Sequence, residues 1–234
     1  MKKFFKYFFI CIIIILILLI PVISKTPSTE KLVDIAEDLE ILPQENKLEI
    51  PDESSKSDKN NNGIADTLDM VESAEKSFNE ETPYKDAYYV GGYPPNTEGV
   101  CTDVIWRGFK AAGIDLKTLM DEDIQKNISS YAGVNGKPDP NIDFRRVKNQ
   151  KVFFDKYCSK ETTEVLANDI ENLKQWQPGD ILLFLKPYEH VGIISNERDS
   201  DGIPFVLHNS HPKMKKSKLS WFPLNEIYHY RWNF

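Results

Sequence analysis

The apolar pattern of this 234-residue chain changes period once, and that change limits the folds open to it. From Cys101 to Ala112, Val104, Ile105, Gly108, Phe109 and Ala112 fall on one side of a helical repeat that Gly113 ends. A second helix is expected across Leu116–Tyr131 and a third across Val147–Tyr157, with Gly133–Arg146 as an ordered loop between them. After the turn Gln177-Pro178-Gly179-Asp180 the pattern becomes short strand-like runs: Ile181–Leu185, Val191–Asn196, Ile203–Asn209 and Tyr228–Trp232. Helices first and strands later imply an α+β fold with an antiparallel sheet.

The first part of the chain reads differently. Lys2, Lys3 and Lys6 precede an uncharged apolar run from Tyr7 to Ile23. A membrane span needs roughly 17–25 such residues. Residues 1–23 are expected to be a membrane anchor with its lysines in the cytoplasm. A cleaved signal segment is the alternative. Either reading exports the rest of the chain, as a single-pass cell-membrane protein with an extracellular domain or as a secreted one. The net charge of −7 is concentrated in the segment after the anchor. No basic footprint of a nucleic-acid binder is present. Residues 24–57, acidic and broken by Pro27, Pro43 and Pro51, read as a linker with one short helix around Leu32–Leu39.

Residues 58–80 read as a calcium loop followed by a helix. Asp58, Asn60, Asn62, Asp66 and Asp69 place oxygen side chains at positions 1, 3, 5, 9 and 12 of an EF-hand-type loop, with Gly63 at the sharp turn and the Ile64 carbonyl at position 7. The pattern departs at Asp69, where a longer glutamate is usual, and the two neutral asparagines lower the charge. Structural calcium of weak, extracellular-type affinity is the expectation. An asparagine-rich flexible linker is the plainer reading. Met70, Val71, Ala74 and Phe78 then fall at helical spacing.

Residues 81–234 carry the chemistry. Cys101 opens the first helix of the globular region. A thiol becomes a good nucleophile as a thiolate, and a helix N-terminus and a neighbouring imidazole both favour that form. If the strands on either side of Glu197–Gly202 pair symmetrically about Asp199, His190 directly faces His208, and one ring can orient the other. Cys101 would then attack a carbonyl carbon, His190 would carry the proton, and His208 would fix its tautomer, giving amide hydrolysis. Asn209 and His211 are runner-up orienters, and His229 reads as structural. A Cys101–Cys158 disulfide or a zinc site formed by Cys101, Cys158, His190 and His208 are the alternatives.

Several runs resemble a known group. Tyr88-Tyr89-Val90-Gly91-Gly92, a helix-opening cysteine, Gln177-Pro178-Gly179-Asp180-Ile181 and His190-Val191-Gly192-Ile193 are similar to the NlpC-type cell-wall cysteine peptidases. The resemblance implies a papain-like fold and cleavage of peptide bonds in peptidoglycan stem peptides. Here Val-Cys-Thr-Asp stands where that superfamily usually has Asp-Cys-Ser-Gly. Over residues 58–234, Gly91-Gly92-Tyr93-Pro94, Gly99–Arg107 and Pro138–Arg146 resemble family 1287 of the domains of unknown function, which is grouped with the NlpC-type fold. Its catalytic positions map onto Cys101, His190 and His208. Tyr88, Asp103, Arg145 and Arg146 are the substrate-contact candidates. For the Asp139–Arg146 run, a substrate clamp and a buried ionic brace remain alternatives.

Overall fold

In the computed structural model, residues 48–234 are described. The expected anchor of residues 1–23 and the linker over 24–47, with its short helix, lie outside them. The first helix, α1 (Asp66–Asn79), buries Met70, Val71 and Ala74. Next come α2 (Cys101–Ala111), α3 (Leu116–Lys126), α4 (Val147–Tyr157) and the single turn α5 (Ile170–Leu173). No helix among the described residues is long and apolar enough to cross a membrane.

The strands are β1 (Cys158–Lys160), β2 (Ile181–Phe184), β3 (His190–Arg198), β4 (Pro204–Ser210), β5 (Lys213–Lys218) and β6 (Ile227–Trp232). They form one open antiparallel sheet in the order β1-β6-β2-β3-β4-β5. The α+β expectation therefore holds at the level of a mixed fold with an antiparallel sheet.

Side-chain alternation sorts the sheet into two faces. Ile181, Leu183, Val191, Ile193 and Leu207 share one core with α1, α2 and α4. Leu182, Phe184, Ile194 and Val206 share a second core with Trp176 and Leu219. The helix carrying Cys101 thus packs on the first face. Gly108 makes that packing close: a Cβ there would meet Ile193 Cδ1 at 3.0 Å and Met70 Cβ at 3.4 Å. A larger residue would wedge α2 away from both α1 and the sheet.

Residues 48–57, read from sequence as the end of a linker, are docked on the domain. Leu48 and Ile50 pack against the second core. Gln177 accepts the Glu53 amide at 2.9 Å and donates to the Pro51 carbonyl at 3.1 Å. Their polarity is that of a segment that binds through its main chain.

Candidate active site

Cys101 is the first residue of α2, and the loop before it is held from three directions. Asp103 Oδ2 accepts the Val100 amide at 2.7 Å, closing the helix start. Arg107 Nη2 donates to the Pro95 and Glu98 carbonyls, each at 2.8 Å. Asn209 Nδ2, on β4, donates to the Gly99 carbonyl at 3.0 Å. Asn209 was a runner-up orienter of His190 on sequence grounds. It braces the nucleophile loop instead.

Asp103 and Arg145 form a buried ion pair. Arg145 Nε and Nη2 donate to the two Asp103 oxygens at 2.7 and 2.9 Å, while the Trp106 indole donates to Oδ1 at 2.7 Å. Their side chains are 0 and 1% exposed. Three of the five guanidinium N–H groups are thereby used internally, with Nη1 on the Ala87 carbonyl at 2.8 Å, and Arg145 also lines the cleft beside Cys101. The pair braces the start of α2, with Asp103 capping the helix.

The two histidines do meet, by a different register from the one expected. Ile193 opposes Leu207 and Ile194 opposes Val206, so continuing that ladder sets Gly192, not His190, opposite His208. The offset is two residues, which preserves the face, whereas one would have reversed it. The rings approach diagonally, with His190 Nε2 and His208 Nδ1 2.8 Å apart. Gly192 leaves the room: a Cβ there would meet Val206 Cγ1 at 2.7 Å and His208 Cβ at 3.1 Å. His208 Nε2 lies 3.0 Å from Ser217 Oγ on β5, a third member that the sequence reading missed.

Alternation puts both rings on the second face, beside Phe184 and Phe222, opposite the face on which α2 packs. The sulfur reaches this region at the edge of the ladder. β3 and β4 pair at Ile193 and Ile194 but not at residues 190–192, leaving their ends unzipped. The Ile194 amide bonds toward the β2 side, to the Asp180 carbonyl at 2.8 Å. The Val191 amide therefore points toward the gap, and it and the amides of Thr102 and Cys101 itself pull the thiol's pKa down. No hydrogen bond joins the sulfur to either imidazole among the described residues, and no other bond occupies His190 Nδ1.

Electrostatics reverse the expected thiolate. Burial pushes the Cys101 thiol up to about 12, against the downward pull of the Val191 and Thr102 amides. Burial, then Lys215, holds His190 down to about 4. His208 falls to about 3, through burial first and then through His190 and Lys215. Burial thus favours the neutral form of the thiol and of both imidazoles at neutral pH. A helix start favours the anion, but desolvation outweighs it here.

Cys101 lines a cleft of about 480 Å³ whose walls include Tyr84, Asp86, Arg146, Lys148 and Glu189. Lys148 and Glu189 form an ion pair of 2.7 Å across it. Arg146 is half-exposed, held by Asp143 Oδ1 at 3.1 Å and by the Gly133 carbonyl. Tyr88 is not among the lining residues. Its hydroxyl donates to Asp139 at 3.1 Å and accepts from Asn141 Nδ2 at 2.7 Å. Tyr84 takes the place expected of Tyr88, because its main chain bridges Gly99 beside the nucleophile loop.

Cys101 and Cys158 are both free thiols, which removes the disulfide alternative. His229 is structural: its ring stacks on Trp176 at 3.9 Å and bonds Asp180 Oδ2 at 2.8 Å and the Thr162 carbonyl at 2.7 Å. Among the described residues, no three His, Cys, Asp or Glu side chains converge to hold a metal, so the zinc alternative finds no support. The expected calcium loop, which relies on asparagine and carbonyl oxygens as well, is folded. Asp58 accepts the Asn62 and Gly63 amides at 3.0 and 2.9 Å, Asn60 Oδ1 the Asn62 amide at 2.9 Å, and Asn62 Oδ1 the Ile64 amide at 2.8 Å.

No solved structure matches the chain. An uncharacterized protein of Escherichia coli (strain K12), YijF, is 32% identical over 150 residues, which cover 61% of this chain and 70% of the relative. The model of the family described as "Domain of unknown function (DUF1287)" matches residues 71–232, a span containing Cys101, both histidines and the whole sheet, and the chain belongs to that family.

Proposed function

We propose that this protein is an exported cysteine hydrolase of papain-like, NlpC-type fold that cleaves an amide or peptide bond in peptidoglycan stem peptides. Cys101 is the nucleophile, His190 its proton carrier and His208 the positioning residue for His190. The N-terminal segment holds the domain at the outer face of the cell membrane. One observation carries the reading: a cysteine heads a helix at the wall of a cleft, on a domain whose His190 ring is paired with His208 at 2.8 Å.

The chemistry takes place in the substrate-bound complex. His190 Nδ1, free of other bonds, takes the thiol proton as the sulfur attacks the carbonyl carbon and returns it to the leaving amine; water then attacks the thioester, giving its proton through His190 to the departing sulfur and releasing the acid. A neutral imidazole is the correct resting form for that step. The N–H groups at the start of α2 stabilise the negative oxygen of the tetrahedral intermediate. Arg146 and Lys148 on one wall suit a substrate carboxylate, and Asp86 and Glu189 suit an ammonium group.

The deeply buried, protonated thiol favours a second reading, a non-catalytic binding module of the same fold. One experiment separates the two. Purified cell wall and defined stem peptides are incubated with the wild type and with Cys101→Ala, and products are read by mass spectrometry. The hydrolase predicts new termini from the wild type alone, with binding retained by the variant. Equal products, or none from either, favour the binding module. His190→Ala is expected to slow hydrolysis by roughly 10²–10⁴-fold.

A further inference from the structure

We infer that the loop from Asp58 to Asp69 is a calcium site that ties α1 to the far end of the nucleophile helix. The observation is a carboxylate that the protein leaves half-satisfied. Asp66 is fully buried, and its Oδ1 accepts the Lys59 amide at 3.0 Å, which turns the carboxylate into the loop. Its Oδ2 is buried with no partner. An unpaired buried oxygen of a charged group costs more than a neutral one, and a cation in the loop removes that cost.

The rest of the ring is arranged to the same end. The side-chain oxygens of Asn60 and Asn62 each accept one backbone amide, those of Asn62 and Ile64 respectively, at 2.9 and 2.8 Å. A carbonyl oxygen has two lone pairs, so each remains able to face a hard cation. Asp69 is too short to act as a bidentate ligand in the usual way. Its oxygens accept from Asn62 Nδ2 at 2.9 Å and from Asn60 Nδ2 at 2.8 Å, placing it as an outer brace. The twelve residues carry three carboxylates against Lys59 alone, a net charge of −2 that favours a divalent cation.

The loop has a definite mechanical target. Asn60 Nδ2 also donates to the carbonyl of Ala111, the last residue of α2, at 2.7 Å. Cys101 sits at the opposite end of that helix, about 15 Å away at 1.5 Å per residue. The cation therefore acts on stability and not on the reacting atoms, and it stands or falls independently of the hydrolase reading.

The full-length protein, in mild detergent, is stripped with EGTA and titrated with calcium chloride while unfolding is followed by tryptophan fluorescence, with magnesium chloride as the ion control. A site of roughly 10⁻⁴ M affinity raises Tm saturably by about 5–10 °C at 10 mM calcium. Magnesium, which requires a tighter octahedron, gives less than half of that rise. Asp66→Asn and Asp58→Asn each remove most of the rise. If Asp66→Asn fails to fold, Asp58→Asn, at the exposed end of the loop, still decides. A calcium-independent wild-type Tm, or a shift undiminished in Asp58→Asn, overturns the site.

Discussion

Neutralising Asp103 tests whether the helix start carrying Cys101 is held by a buried ion pair. Asp103 and Arg145 are 0 and 1% exposed, and their two charged hydrogen bonds are 2.7 and 2.9 Å long. Removing one member of such a pair strands the other, at a typical cost of about 3–5 kcal/mol. The two single variants should differ. Asp103→Asn leaves the buried guanidinium with only neutral acceptors, the Asn Oδ1 and the Ala87 carbonyl, and no counter-charge, which places it near the upper end of that range. Arg145→Met leaves the carboxylate with the Val100 amide and the Trp106 indole, which places it near the lower end. The double variant removes both charges and should lose less than the summed singles by at least about 2 kcal/mol. Urea unfolding of the full chain, followed by far-ultraviolet circular dichroism, measures all three. A loss below about 1 kcal/mol for Asp103→Asn, or strict additivity in the double variant, refutes the brace.

Two further perturbations address the imidazole pair. Gly192→Ala places a Cβ 2.7 Å from Val206 Cγ1 and 3.1 Å from His208 Cβ, and should cost about 1–3 kcal/mol by overpacking. An unfolding free energy within about 0.5 kcal/mol of wild type would mean the diagonal approach of the rings does not need that space. Stability should also show a plateau in pH. In the unfolded chain the histidines titrate near 6.5, but folding lowers His190 to about 4 and His208 to about 3. As pH falls below about 6.5, the unfolded state binds protons that the folded state refuses, so stability falls. At the other limit the thiol of Cys101 rises from 9.0 to about 12, so stability falls as pH climbs past 9. Tm against pH should therefore be highest between about 6.5 and 9. His208→Asn should flatten the acid side, and Cys101→Ala should weaken the alkaline side without removing it, because burial also raises Cys158. Unchanged limbs in these variants would assign the pH dependence to other groups.

What the sequence revealed and what it concealed divide along a physical line. The start of α2 at Cys101 and the span of α4 were legible because helical periodicity and stop residues are local signals. The shared face of His190 and His208 was legible for a subtler reason: parity along a strand survives a two-residue register error. β5 was not legible. Its Lys-Met-Lys-Lys-Ser-Lys sequence buries Met214 alone among its side chains, as suits an outer strand protected by charge, with Thr82 and Pro83 lying along it. Missing β5 meant missing Ser217 as the partner of His208. The role of Asp103 was hidden because its partner Arg145 lies in a distant loop, and only the packed chain brings the two together. The thiol was the hardest case. A helix start and neighbouring histidines argue for a thiolate, and both motifs are visible in the sequence. Desolvation depends on what the rest of the chain lays over the sulfur, and here that cover decides the sign. A substrate that enters the cleft beside Cys101 and displaces water also alters that cover, so the proton transfer to His190 belongs to the bound complex rather than to the resting protein. Alkylation by iodoacetamide in the free protein should accordingly stay slow at neutral pH. A fast reaction with a midpoint below the ordinary thiol value of about 8.5 would restore the thiolate and overturn the buried neutral site.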